Sequence, residues 1–190
     1  AYVDYSKSGA MNVNFQFKNA EGQSHRETIY VTSGKEKGCK NYYESKDGKK
    51  KYLPGFTTVN SICLLTIGEE LSSIEPEEKV LSLYNWDLKK EAPTKKMVLT
   101  ELLGQDITLG LVQIKEYKYN DPNKIITKVE TKKVFRASDH MTVAEIKAEA
   151  EEATFYDEWV DKFTGIVIDN TEGKSNTSSA PAQEKKSLFK

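Results

Sequence analysis

Between residues 40 and 52 the chain places Lys40, Tyr42, Tyr43, Lys49, Lys50, Lys51 and Tyr52. Lysine ammonium groups attract phosphates as mobile point charges, and tyrosine rings offer flat faces on which bases stack. Interleaved on a hairpin, the two residue types suit a single-stranded nucleic acid. Stacking accepts any base and is worth about 1–3 kcal/mol per base. Bidentate reading of base edges would need arginine, and Arg26 and Arg136 are the only two among 28 basic residues. The pattern therefore points to phosphates and base faces rather than to sequence reading. The same residues also have a structural reading, since tyrosine is a common strand residue and lysine guards exposed strand edges.

Other chemistry is thinly supported. His25 and His140 are the only imidazoles, and neither sits in a metal-ligand spacing. Cys39 and Cys63 are far apart with no CxxC, which argues for two reduced thiols over a disulfide scaffold. Gly34-Lys35-Glu36-Lys37-Gly38 has glycine and lysine but not the order of a phosphate loop. Glu145, Glu149, Glu151, Glu152, Asp157, Glu158 and Asp161 could suggest metal-binding carboxylates, but a solvated helix face is the plainer reading. No catalytic constellation emerges, so a non-enzymatic role without cofactor or metal is expected.

The formal net charge of -1, taken alone, argues against a basic nucleic-acid binder, but it is unevenly spread. Residues 1–60 carry +4, residues 61–113 carry -4, residues 114–136 carry +4, residues 137–169 carry -7 and the remainder +2. Eight of the ten tyrosines lie in the two +4 blocks. The basic blocks coincide with expected hairpins, and the acidic block with an expected helix.

The elements that must position these residues follow from periodicity. Met11, Val13, Phe15 and Phe17 alternate with polar residues, and Ile29 and Val31 resume the alternation after a turn over residues 19–23. This predicts a β-hairpin with a polar face of Asn14, Gln16, Lys18, Arg26, Thr28 and Tyr30. Lys46-Asp47-Gly48-Lys49 predicts the turn of a second, exposed hairpin over 40–53. Phe56, Val59, Ile62, Cys63 and Ile67 recur at helical spacing, with Gly68 as a stop. Residues 72–93 look irregular, and 95–103 look like a short helix. A long strand over 106–119, bulged near Gly110, should return over 125–136. Thr142 and Glu145 form a capping box opening one helix over 142–163, with a last short strand at 166–168. From residue 169 the composition turns to Ser, Thr, Asn, Gly, Ala and Pro, as in a flexible tail. Hydrophobic residues make up 37% and charged residues 30%, enough for one modest core. The expected division is therefore a domain over 1–168 and a tail over 169–190. No apolar run approaches the ~20 residues of a membrane helix and no signal peptide is visible, so a cytoplasmic protein is expected.

Val31–Gly38, Tyr52–Asn60, Leu99–Gly104, Phe135–Asp139 and a tail ending in Ser187, Leu188, Phe189 and Lys190 together resemble the bacteriophage single-stranded DNA-binding proteins. The resemblance implies an OB-type barrel of about five strands that coats single strands during phage replication, recombination and repair. It also implies recruitment of replication or recombination proteins by the tail tip, Leu188 and Phe189, and the acidic helix could offer a partner surface. The expected interface comprises Lys18, Arg26, Tyr30, Lys40, Tyr42, Tyr43, Lys49, Lys50, Lys51, Tyr52, Phe56, Lys115, Tyr117, Tyr119, Lys128 and Lys132. Two alternatives stand beside it: a β-rich virion or assembly component, and an accessory protein whose acidic helix imitates DNA to bind a basic partner.

Overall fold

The computed structural model describes residues 1–171. Thirteen regular elements are described: β1 (Tyr2–Tyr5), β2 (Met11–Lys18), β3 (Ser24–Tyr30), β4 (Tyr42–Glu44), β5 (Lys50–Tyr52), α1 (Pro54–Thr66), β6 (Glu77–Asn85), β7 (Lys90–Val98), β8 (Ile107–Lys118), β9 (Asp121–Arg136), α2 (Val143–Lys147), α3 (Thr154–Phe163) and β10 (Val167–Asp169). The chain is thus β-rich with three helices. Five antiparallel strands form one sheet in the order β3-β2-β1-β7-β6. A second sheet has the order β10-β8-β9, and β4 and β5 pair alone.

Alternation places β2 and β3 as expected. Val13, Phe15 and Ile29 point inward, while Asn14–Thr28 and Gln16–Arg26 face each other on the polar side. Asn19 closes their turn: its Oδ1 accepts the Gln23 N–H at 2.9 Å. Against the inner face lies α1, with Pro54 in its first turn, where a missing N–H is harmless. Val59, Ile62, Cys63 and Leu65 are its buried face, joined in the core by Val31, Ile74, Leu99 and Val134. Each such side chain contributes about 1.5–3 kcal/mol by leaving water. Gly55 is where α1 and β3 meet most closely, since a Cβ there would stand 2.1 Å from the Tyr30 carbonyl oxygen.

The five-stranded sheet does not close into a barrel, which corrects the expected closed form. Glu27 on β3 instead reaches β9, its carboxylate accepting the Thr131 N–H at 3.2 and 3.3 Å. That N–H lies beside the register shift between Gly110 and Leu111, where β9 opposes Gly110 with Lys133 and Leu111 with Thr131. A bulge opens the ladder there, and a side chain takes the place of a strand.

Two further expectations fail. Residues 72–103 hold no helix beyond single 3-10 turns; β6 and β7 form a hairpin followed by the turn Thr100–Leu102. The hairpin escapes a periodicity reading because only Val98 is fully buried in it, and β1 pairs with β7 only at Tyr2–Val98 and Val3–Met97. Beyond that reach β7 has a free edge, where Pro93 is tolerated. The single helix expected over 142–163 is two. The Thr142–Glu145 capping box is present, but Glu149 has φ +52 and the Glu145 carboxylate also accepts the Phe155 N–H, at 3.0 Å, at the start of α3. One carboxylate therefore serves both helix starts. Burial works to raise its pKa, but the Phe155 and Thr142 donors hold it below the ordinary carboxylate value. Aromatic packing of Tyr156 and Trp159 on Phe135 sets the position of α3.

Candidate functional site

The turn between β1 and β2, the loop after β3, and the β4–β5 hairpin come together at one end of the sheet. The Lys35 N–H donates to the Ser8 carbonyl at 2.8 Å, and the Ser33 N–H to the Lys40 carbonyl at 2.8 Å. A 3-10 turn over Lys35–Lys37 ends at Gly38, whose φ of +76 is left-handed. The Lys35 stem lies over Gly9, where an added Cβ would approach it to 2.6 Å. Between these segments is a groove of about 880 Å³, its walls including Lys7, Lys35, Lys37, Lys40, Tyr42 and Tyr43. Among the described residues none of its four lysines is in an ion pair. Glu36 and Glu44 are the acidic groups of the lining.

The aromatic residues of the hairpin are arranged in two ways. Tyr42 is half-buried, with the Lys40 and Lys50 ammonium groups 5.5 and 5.0 Å from its ring centre. Tyr43, across from Lys51, is exposed and lines the groove. Tyr52 is exposed and packs on half-buried Phe56 at 4.9 Å between centres. Lys51 is exposed, and Lys49 lies 3.7 Å from the Asp47 carboxylate. The hairpin carries charge and ring faces together, the combination that phosphates and bases require.

The remaining expected residues are spread out. Tyr30 pairs with Asn12 at the groove end of the β2–β3 hairpin, whereas Lys18 and Arg26 lie toward its other end, beside the turn. Lys18 opposes Ser24, seven residues along β2 from Met11, or roughly 23 Å at strand rise. On β8 and β9 the three expected lysines already have partners. Lys115 meets Asp169 at 2.7 Å, Lys128 meets Glu116 and Glu130 at 2.7 and 2.6 Å, and Lys132 meets Glu130 at 2.6 Å. The Lys115 ammonium, with help from the Thr171 hydroxyl and N–H, takes the Asp169 carboxyl down to about 2. The bonds to Glu116 and Glu130 push the Lys128 ammonium up. Tyr117 is half-buried, and Tyr119 at the β8–β9 turn is almost fully exposed. Leu188 and Phe189 lie outside the described residues.

Residue types alone did not single out Lys7, Lys35 and Lys37. The Gly34–Gly38 segment offers a hint in its glycines and lysines, but it lacks the GxxxxGK(S/T) order of a phosphate loop. Both histidines are engaged in packing: His25 lies 3.1 Å from Glu27, and His140 stacks on Tyr156 at 4.1 Å. Among the described residues no three His, Cys, Asp or Glu side chains converge as metal ligands. No described helix is long and apolar enough to cross a membrane. No family model, no curated protein and no solved structure matches the chain, so the assignment of a role rests on the site itself.

Proposed function

We propose that the protein binds and coats single-stranded DNA without sequence preference, in phage DNA replication, recombination or repair. The observation that carries this reading is the groove, with four lysines that are in no ion pair among the described residues and the exposed Tyr43 on one wall. Lysines of the groove contact successive phosphates, while Tyr43 and the neighbouring Tyr52 and Tyr30 stack on bases. Scarcity of arginine fits binding that ignores sequence. Kinship with OB-type binders belongs to the same proposal. It is supported by the Glu27 bridge from β3 to β9, which spans the gap where a closed barrel would need a ladder. On this reading the centre of the interface is the groove end of the sheet. The paired Lys115, Lys128 and Lys132 contribute less than their number suggests, because a strand would have to displace carboxylates to reach them.

The test is a gel-shift series with oligo-dT and a matched duplex at two salt concentrations. Single strands should shift at low salt and weaken as salt rises, by a log–log slope of about -0.7 per phosphate neutralised. Changing Tyr42 and Tyr43 together to alanine should cost more than tenfold in affinity. Unchanged binding by that double variant, or affinity for oligo-dT that ignores salt, would overturn the proposal.

A further inference from the structure

We propose that the tip of the β6–β7 hairpin is a second single-strand contact, with Trp86 as a stacking platform and Lys89 and Lys90 as its phosphate contacts. The inference rests on the proposed function and extends it to a segment that lies outside both basic blocks. Trp86 is 83% exposed and Tyr84 51% exposed, and the two rings meet edge to face at 5.0 Å. Among the described residues Tyr84 is the one ring packed on Trp86. A large indole held in water is unfavourable, and nothing in the turn requires it.

The tip is held rather than loose. The Asn85 side-chain oxygen accepts the Asp87 and Leu88 N–H groups, both at 3.0 Å, and Lys89 takes φ +51. A platform ordered in advance loses less freedom on binding. Lys89 and Lys90 follow directly and are in no ion pair among the described residues; Asp87 is the single acid of the turn and its closing pair, residues 85–90, and Glu91 just beyond sits opposite Tyr84 with its carboxylate accepting the Ser82 hydroxyl at 3.0 Å. The turn itself therefore carries a net charge of +1, within a block that is acidic overall.

Topology puts this tip on the correct side. β7 runs antiparallel to β1, with Val98 opposite Tyr2 and Met97 opposite Val3. Its beginning at Lys90 therefore points toward the end of the sheet where the β1–β2 turn, with Lys7 and Ser8, lines the groove. Lys96 pairs with Asp4, and the six residues from there back to Lys90 carry the tip roughly 20 Å onward at strand rise. A strand leaving the groove past Lys7 has this tip on its path, so groove and tip form one interface.

The chain has two tryptophans, and Trp159 packs on Phe135 and Phe163, so Trp159→Phe leaves Trp86 as the sole indole reporter. Titration of that variant with oligo-dT at low salt should quench its emission, saturating where the gel shift saturates. Trp86→Ala should keep the wild-type melting temperature and lose about five- to 150-fold in affinity, the range of one stacked base. Saturated binding with silent emission, or affinity of Trp86→Ala within twofold of wild type, overturns this contact while leaving the proposed function standing. Failure of the wild-type chain to bind oligo-dT at all would instead remove the proposed function and this inference with it.

Discussion

Replacing Lys35, Lys37 and Lys40 together by glutamine removes three charges from the groove and leaves the side-chain stems in place. The stem of Lys35 matters to the fold because it covers Gly9. If each ammonium neutralises one phosphate, the salt slope for a single strand should become less steep by about 2, at roughly 0.7 per phosphate. Over a fourfold rise in salt, from 50 to 200 mM, wild type should then lose about 18-fold more affinity than the variant. Fluorescence anisotropy of a labelled oligo-dT at four or more salt concentrations measures this directly. Lys128→Gln serves as the contrast: its ammonium is already held by Glu116 and Glu130, and its slope should stay close to wild type. Two results refute the reasoning. One is a triple-variant slope within about 0.5 of wild type; the other is a larger slope change from Lys128→Gln than from the three groove lysines.

Gly55→Ala should destabilise the fold by about 3 kcal/mol, read as a shift in the urea midpoint, because its Cβ would collide with the Tyr30 carbonyl. Native stability in that variant would mean that α1 can move away from β3. Thr142→Ala should cost about 1 kcal/mol through loss of the capping box, measured the same way. A thiol reagent should titrate Cys39 quickly in the native protein and Cys63 only on unfolding: Cys39 is exposed, while burial drives the Cys63 thiol up to about 12. Two equally fast thiols would contradict the buried core position of Cys63. The Asp169 carboxyl is lowered from 3.8 to about 2 in the fold, so its stabilising contribution is complete above pH 4 and is lost as pH falls toward 2. Denaturant titrations of wild type and Asp169→Asn should accordingly differ at neutral pH and converge across that acid range.

Where a segment buries one face, its pattern could be read. Met11–Phe17 alternates because one side meets α1, and Phe56–Ile67 has helical spacing because it covers that sheet. The bulge at Gly110 showed as a change of phase between Leu109 and Val112, and the structure has its register shift there. The β6–β7 hairpin was not legible for the opposite reason. Its two faces differ, with Leu81, Leu83, Ala92, Thr94 and Lys96 half-buried and their neighbours exposed, but only Val98 is buried outright, so few inward positions need to be apolar. The break between α2 and α3 was hidden because residues 148–153 are good helix formers. The double use of the Glu145 carboxylate and the packing of α3 on Phe135 override that propensity.

The sequence by itself determined the materials: lysine and tyrosine gathered on hairpins, little arginine, and apolar stripes sufficient for one core. These follow from residue identity and local period, which need no knowledge of neighbours. Only the tertiary structure decided which lysines are available. Lys115 and Lys128 resemble the groove lysines in sequence, but strand pairing sets the Asp169 and Glu116 carboxylates beside them. Lys7 is distant along the chain from Lys35 and Lys40, yet it shares a groove with them because the β1–β2 turn and the loop after β3 leave the sheet at the same end. Whether a charge is free depends on what stands within a few ångströms of it, and for residues far apart in the chain only the fold sets that distance.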